Sequence, residues 1–71
     1  MTIQTHSYEH RGYEIVVTHT APYFQAAIYP KDQHLPHVGW EEPPIRAHNV
    51  MGAVTLAKGR IDSTFAALHI P

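Results

Sequence analysis

The chain has 71 residues, contains no cysteine and carries a formal charge of −1 with its histidines neutral. A domain this small buries only about 60% of the surface that its unfolded chain exposes, so a second subunit is a common source of extra stability. The near-neutral charge lacks the basic footprint of nucleic-acid-binding proteins, which makes nucleic acid an unlikely partner. No apolar run is long enough to span a membrane, and the lack of cysteine and of a signal peptide favours a cytoplasmic location.

The first half of the chain predicts short antiparallel strands. Residues 6–10 alternate loosely around Tyr8, and Arg11-Gly12 after them indicates a tight hairpin, because glycine takes a positive φ without steric cost. The run 13–19 is rich in β-branched and aromatic residues and predicts the strongest strand. Its more apolar side, which we expect to face a helix, carries Tyr13, Ile15 and Val17.

A third strand is predicted at 23–29, after a chain reversal at 20–22. Pro22 favours that reversal because proline has no backbone N–H to donate to a strand ladder. Strand alternation directs Phe24 and Ile28 towards the core. The opposite side of this strand carries Tyr23, Gln25, Ala27 and Tyr29.

The segment 31–44 is a long connection for so small a domain. It follows no helical or strand period and contains Pro36, Pro43 and Pro44. Loops longer than about 12 residues are uncommon unless they carry function or are mobile, so we expect a mobile loop here. A short extra strand at 45–47 is left open as an alternative to continued loop.

One segment, about 49–68, has sustained helical periodicity. Asn49 is the expected N-cap, because its side chain can accept a hydrogen bond from an unpaired N–H of the first turn. The residues that gather into one apolar stripe at about 100° per residue are Val50, Val54, Ala57, Ile61, Phe65 and Leu68. The whole chain therefore predicts a single α+β domain, in which a three-stranded antiparallel sheet (β-β-β-α order) packs against one C-terminal helix.

The opposite side of the predicted helix is built of small, barely charged residues. They are Gly52, Thr55, Leu56, Gly59, Ser63 and Ala66. A glycine in an exposed helix interior costs about 1 kcal/mol relative to alanine, so packing against a second copy would offset that cost. We expect a homodimer joined through this side, with a weak or kinked helix at Gly59, or a break into two helices, as the alternatives.

A second candidate surface combines the outer side of the strand at 23–29 with the loop. Its predicted members are Tyr23, Gln25, Tyr29 and Trp40. Tryptophan is enriched among the residues that dominate binding energy at interfaces, which favours an unknown protein partner here. The alternatives are that Trp40 pins the loop onto the core and that the tyrosines are simply exposed to solvent.

Neither an enzyme nor a metal site is indicated. The chain has no cysteine nucleophile, and its serines do not lie in a Gly-x-Ser-x-Gly motif. Glu41 and Glu42 are neighbours that point apart in an extended segment, and His34 and His37 lack the spacing of a strong metal motif. We therefore predict no catalytic residues, no metal ligands and no cofactor.

The order of the predicted elements resembles that of HicB-type antitoxin domains, and it also looks like that of small bacterial proteins of unknown role. The resemblance is carried by three segments: 12–17, 23–28 and 53–58. It implies a β-β-β-α fold and an antitoxin-like or nucleic-acid-associated regulatory role. The residues themselves favour a small, self-associating binding module, and the role implied by the resemblance is the alternative.

Overall fold

The computed structural model describes residues 5–41 and 44–69. It has the expected α+β architecture, with one antiparallel sheet followed by a C-terminal helix. The elements in chain order are β1 (Thr5–His10), β2 (Tyr13–Thr20), β3 (Tyr23–Pro30), β4 (Ile45–Ala47) and α1 (Val50–Ala67). The sheet has four strands in the order β1-β2-β3-β4, where three were predicted. The fourth strand is the three-residue β4, which is the short extra strand left open at 45–47 and which pairs with β3.

The two predicted reversals are both present. Arg11 and Gly12 have φ angles of 52° and 85°, which is the conformation of a type I′ hairpin turn. Gly12 also allows a close approach, since an added Cβ would lie 3.1 Å from Leu35 Cδ1. The second reversal joins Thr20 to Tyr23, which are directly opposed, through a cis peptide bond between Ala21 and Pro22.

The core lies between α1 and the side of the sheet that the alternation predicts. Its buried members are Tyr13, Ile15, Val17, Ala26, Ile28, Val38, Ile45, Ala53, Val54, Ala57, Ile61 and Phe65. Val50 and Phe24 are half-buried against this cluster. The prediction that Leu68 belongs to the core is wrong, because α1 ends at Ala67 and Leu68, its C-cap, remains 52% exposed.

Asn49 caps α1 as predicted. Its Oδ1 accepts a hydrogen bond from the backbone N–H of Gly52 at 2.6 Å. An added Cβ on Gly52 would lie 3.1 Å from both Asn49 Oδ1 and the Cβ of Ala47. The glycine at 52 therefore has a reason within the chain, since a Cβ here would be packed tightly against the cap and β4.

The connection between β3 and β4 is anchored to the rest of the domain at several points. Val38 is only 3% exposed and belongs to the core. The Tyr13 hydroxyl donates a hydrogen bond to the carbonyl oxygen of Pro36. Arg60 Nη1, on α1, donates to the carbonyl oxygen of Gly39 at 3.3 Å. These contacts fix where the loop crosses the sheet. That the loop is mobile stays a prediction. Residues 42 and 43 lie outside the described part of the chain.

Candidate partner-binding surface

Because α1 covers one side of the sheet, the other side carries no helix among the described residues. We call this side the open face. Strand alternation and the buried positions of β2 and β3 place on it Glu14, Val16, Thr18, Thr20, Tyr23, Gln25, Ala27 and Tyr29. Over β2 and β3 it is therefore a surface of hydroxyl groups, small apolar side chains, one amide and two phenols, with the carboxylate of Glu14 at one end.

A groove of about 270 Å³ runs across the middle of the open face. The residues that line it are Val16, Thr18, Thr20, Gln25, Ala26, Ala27 and Trp40. Val16 is directly opposite Ala27 and Thr18 is opposite Gln25, so two cross-strand pairs form its floor. The groove is depressed at Ala27 because the side chain of this residue is small. Trp40, which belongs to the loop, lines one side of the groove. The groove can hold an apolar side chain and offers an amide for hydrogen bonding.

Trp40 contacts the open face through Tyr29. The two rings meet edge to face, with their centroids 5.7 Å apart and their planes at 68°. Trp40 is half-buried against the core, whereas Tyr29 is 47% exposed. Trp40 thus pins the loop and lines the groove at the same time, so the two roles that the sequence left open are compatible.

The structure brings three of the four predicted surface residues together. Gln25 and Trp40 line the groove, and Tyr29 contacts Trp40. Tyr23 lies at the other end of β3, where its ring centroid is 6.1 Å from that of His48. That these residues bind a partner stays a prediction. Val16, Thr18 and Ala27 were missed as members of this surface, although alternation along β2 and β3 was the signal that could have included them.

The charges around the open face lie mostly at the end where β1 and β2 meet their turn. Glu9 and Glu14 are directly opposite each other, and Ser7 Oγ donates to Glu14 Oε2 at 2.6 Å. Lys31 forms an ion pair with Glu9. The hydrogen bond to Glu9, followed by the charge of that carboxylate, raises the pKa of Lys31. At the other end of the sheet, Arg46 is opposite Gln25. The groove itself lies between these charges and is close to neutral.

The predicted self-association surface lies on the exposed side of α1. An added Cβ on Gly59 would meet no atom within 4 Å, and Leu56 is 52% exposed. Thr55, Ser63 and Ala66 are also exposed. Gly52 differs, since its space is occupied by the cap and β4. The homodimer through this side stays a prediction. The presence of glycine at position 52 is explained by contacts within one chain and needs no second subunit.

The histidines make separate contacts and do not converge. His10 Nε2 lies 2.8 Å from Asp62 Oδ1, which also lies 3.0 Å from Arg11 Nε. His19 stacks on Phe24 with a centroid distance of 4.4 Å. Within residues 5–41 and 44–69, no group of three or more histidine and acidic side chains could hold a metal ion. In the same part of the chain, no helix is both long enough and apolar enough to cross a membrane.

Comparisons with protein-family models, with curated proteins and with solved structures gave no match for this chain. The assignment of a function therefore rests on the geometry of its own residues.

Proposed function

We propose that this chain is a small interaction module that binds a partner protein through the groove of the open face. The proposal rests on the position of Trp40. Its ring extends from the loop between β3 and β4, contacts Tyr29 and lines one side of the groove. Tryptophan and tyrosine supply much of the binding energy at protein interfaces. Here they lie beside a depression rather than on a flat surface.

The chemistry of the groove supports an extended peptide segment with an apolar side chain. Val16 and Ala27 offer apolar contact, and Gln25 supplies an amide that can both donate and accept a hydrogen bond. Thr18 and Thr20, which also line the groove, carry hydroxyl groups. Ligand sites commonly combine such apolar surface with a few polar groups that set orientation.

Selection of short random peptides against the folded protein tests this proposal. We expect selected peptides to change the fluorescence of Trp40, the single tryptophan of the chain. Trp40→Ala and Tyr29→Ala should each weaken binding by about 2 kcal/mol or more, as truncation of an interface hot spot does. Circular dichroism and urea unfolding of both variants verify that they remain folded.

Leu56→Ala and Met51→Ala are the matched controls, because both side chains are exposed on α1, away from the open face. We expect each to leave peptide affinity unchanged. Peptides whose binding depends on Leu56 and is indifferent to Trp40 and Tyr29 would show that the open face is not the binding surface.

The alternative is an antitoxin-like or nucleic-acid-associated regulatory role, which rests on the resemblance of the element order to HicB-type domains. Arg46, at the end of the open face, is the described cation closest in register to Gln25. A retarded band with nucleic acid that disappears as salt is raised would favour this alternative, because phosphate contacts release counterions. No retardation at low salt would count against it.

A further inference from the structure

β1 is an edge strand of the sheet. It lies at one end of the strand order, and among the described residues β2 is its one paired neighbour. The opposite edge, β4, is three residues long and is preceded by Pro44. β1 has six residues in continuous register with β2, and it contains no proline, lysine or bulge. Native proteins usually blunt an exposed edge with such features or cover it, so β1 has the character of a pairing surface.

The turn determines which backbone groups of β1 point outwards. In a two-residue type I′ hairpin the residues that flank the turn, His10 and Tyr13, form a hydrogen-bonded pair. Hydrogen-bonded and non-hydrogen-bonded pairs then alternate along the strands. The backbone groups of His6, Tyr8 and His10 are therefore directed to β2. Those of Thr5, Ser7 and Glu9 point away from the sheet.

We propose that β1 pairs antiparallel with β1 of a second copy of this chain, about a twofold axis at Ser7. In this register Ser7 is opposite Ser7 of the second copy, and Thr5 is opposite its Glu9. Each of the three outward-pointing residues then donates one backbone hydrogen bond and accepts one. The result is a continuous sheet in which both β1 edges are covered.

The side chains of β1 are complementary to themselves in this register. The Thr5 hydroxyl can donate to the carboxylate of Glu9, whose other oxygen is occupied by Lys31 within its own chain. His6 is opposite Tyr8, which gives an aromatic pair on the α1 side of the sheet, and the small Ser7 side chains meet on the axis. No like charges are directly opposed, and such opposition destabilises a strand pair.

The register shifted by two residues fits less well. It places His6 opposite His10 and brings Thr5 beside Arg11, which is in the turn and has a φ of 52°. A strand hydrogen bond to that residue would be lost. The pairing centred on Ser7 is thus the one that uses every outward-pointing group of the described strand. It uses the sheet edge rather than the groove, so it stands independently of the proposed function.

Ser7→Pro is the first test, with Ser7→Ala as its matched control. Proline removes an N–H that points outwards, and it is tolerated at such positions of edge strands without loss of the ladder to β2. Alanine removes only the hydroxyl group that donates to Glu14. By sedimentation velocity, we expect the mass of the wild type and of Ser7→Ala to rise with concentration from 8.0 kDa towards twice that value. Ser7→Pro should remain at the mass of one chain.

A charge swap tests the twofold axis itself and does not depend on the folding of the proline variant. Ser7→Lys and Ser7→Glu should each be monomeric, because like charges would meet across the axis. An equimolar mixture of the two should associate, since opposite charges then face each other. A wild type that stays at 8.0 kDa up to millimolar concentration would overturn the proposal. It would also be overturned if Ser7→Pro dimerises like Ser7→Ala, or if the mixture does not associate.

Discussion

The hydroxyl group of Tyr13 donates a hydrogen bond to the carbonyl oxygen of Pro36, and so joins the most buried aromatic residue of the core to the loop that carries Trp40. Burial raises the pKa of the Tyr13 hydroxyl group, which therefore keeps its proton to donate. The position of the groove wall thus depends on a contact made at the centre of the domain. No local pattern predicts this connection, because the two residues are separated by 23 positions.

Tyr13→Phe should lower the free energy of unfolding by about 1 kcal/mol, since it leaves the Pro36 carbonyl group without its protein partner. The ring itself remains and keeps its edge-to-face contact with Phe65, at a centroid distance of 6.0 Å. Urea unfolding measures the loss, and Trp40 emission should shift to longer wavelength as the loop loosens. Tyr29→Phe is the control, because the side chain of Tyr29 is 47% exposed, so solvent can hydrogen-bond its hydroxyl group. Equal losses in both variants would contradict this explanation.

The two glycines of α1 should respond oppositely to alanine. Gly59→Ala should raise the free energy of unfolding by about 1 kcal/mol, because the position is open and alanine has the higher helix propensity. Gly52→Ala should lower it, because the new Cβ would press on Ala47 and on the capping oxygen of Asn49 at 3.1 Å. Thermal unfolding at low protein concentration compares the two variants. If Gly52→Ala is as stable as Gly59→Ala, then Asn49 and Ala47 move aside for the new Cβ without lowering the free energy of unfolding.

Gly59→Lys tests the predicted self-association through α1. If Gly59 and its exposed neighbours Leu56 and Ala66 form the seam of a homodimer, a lysine at 59 should give a folded monomer in light scattering. Gly59→Ala is the control, because it keeps the surface small and uncharged. A wild type that is monomeric at high concentration would show that this seam does not form. A dimer that persists in Gly59→Lys and dissociates in Ser7→Pro would assign the interface to β1 instead.

The link between β1 and α1 should make stability depend on pH in the acid range. The hydrogen bond from His10, helped by the charges of His10 and Arg11, lowers the pKa of the Asp62 carboxyl group in the folded chain. A carboxyl group whose pKa is lowered by folding stabilises the folded state above its ordinary pKa of about 4. That contribution is lost as the pH falls from there through the lowered value.

Asp62→Asn should therefore flatten the dependence of unfolding free energy on pH below about 4, relative to the wild type. Urea unfolding at a series of pH values measures the difference between the two slopes. Ser63→Asn, at the neighbouring exposed position, serves as a control and should keep the slope of the wild type. If Asp62→Asn and the wild type lose stability in parallel, the link to His10 contributes nothing to the folded state.

The parts of the fold with a clear local signal could be predicted from the sequence. The hairpin at Arg11-Gly12, the inward residues of β2 and the Asn49 cap each follow from a short pattern and the preference of one residue type. The extra strand at 45–47, which the sequence left open, is present as β4, because β3 offers an edge with which it pairs. One error arises at the end of an element, since Leu68 keeps the helical period at the point where the helix ends.

The candidate site was predicted only as a set of residue types. Tyr29 and Trp40 were chosen for their chemistry, and alternation correctly placed Tyr29 on the side away from the helix. The path of the loop could not be predicted, because it depends on Val38 entering the core and on Arg60 holding the carbonyl group of Gly39. These are contacts between distant parts of the chain, and no local pattern encodes them.

The groove opens on the side of the sheet opposite α1, and this orientation determines the valency of an assembly. A twofold axis normal to the sheet, as in the pairing of β1 centred on Ser7, leaves both open faces pointing in the same direction. Two grooves would then face one partner across a fixed distance. A partner with two copies of the recognised segment would be held by avidity, since the second segment binds at the high effective concentration set by the first.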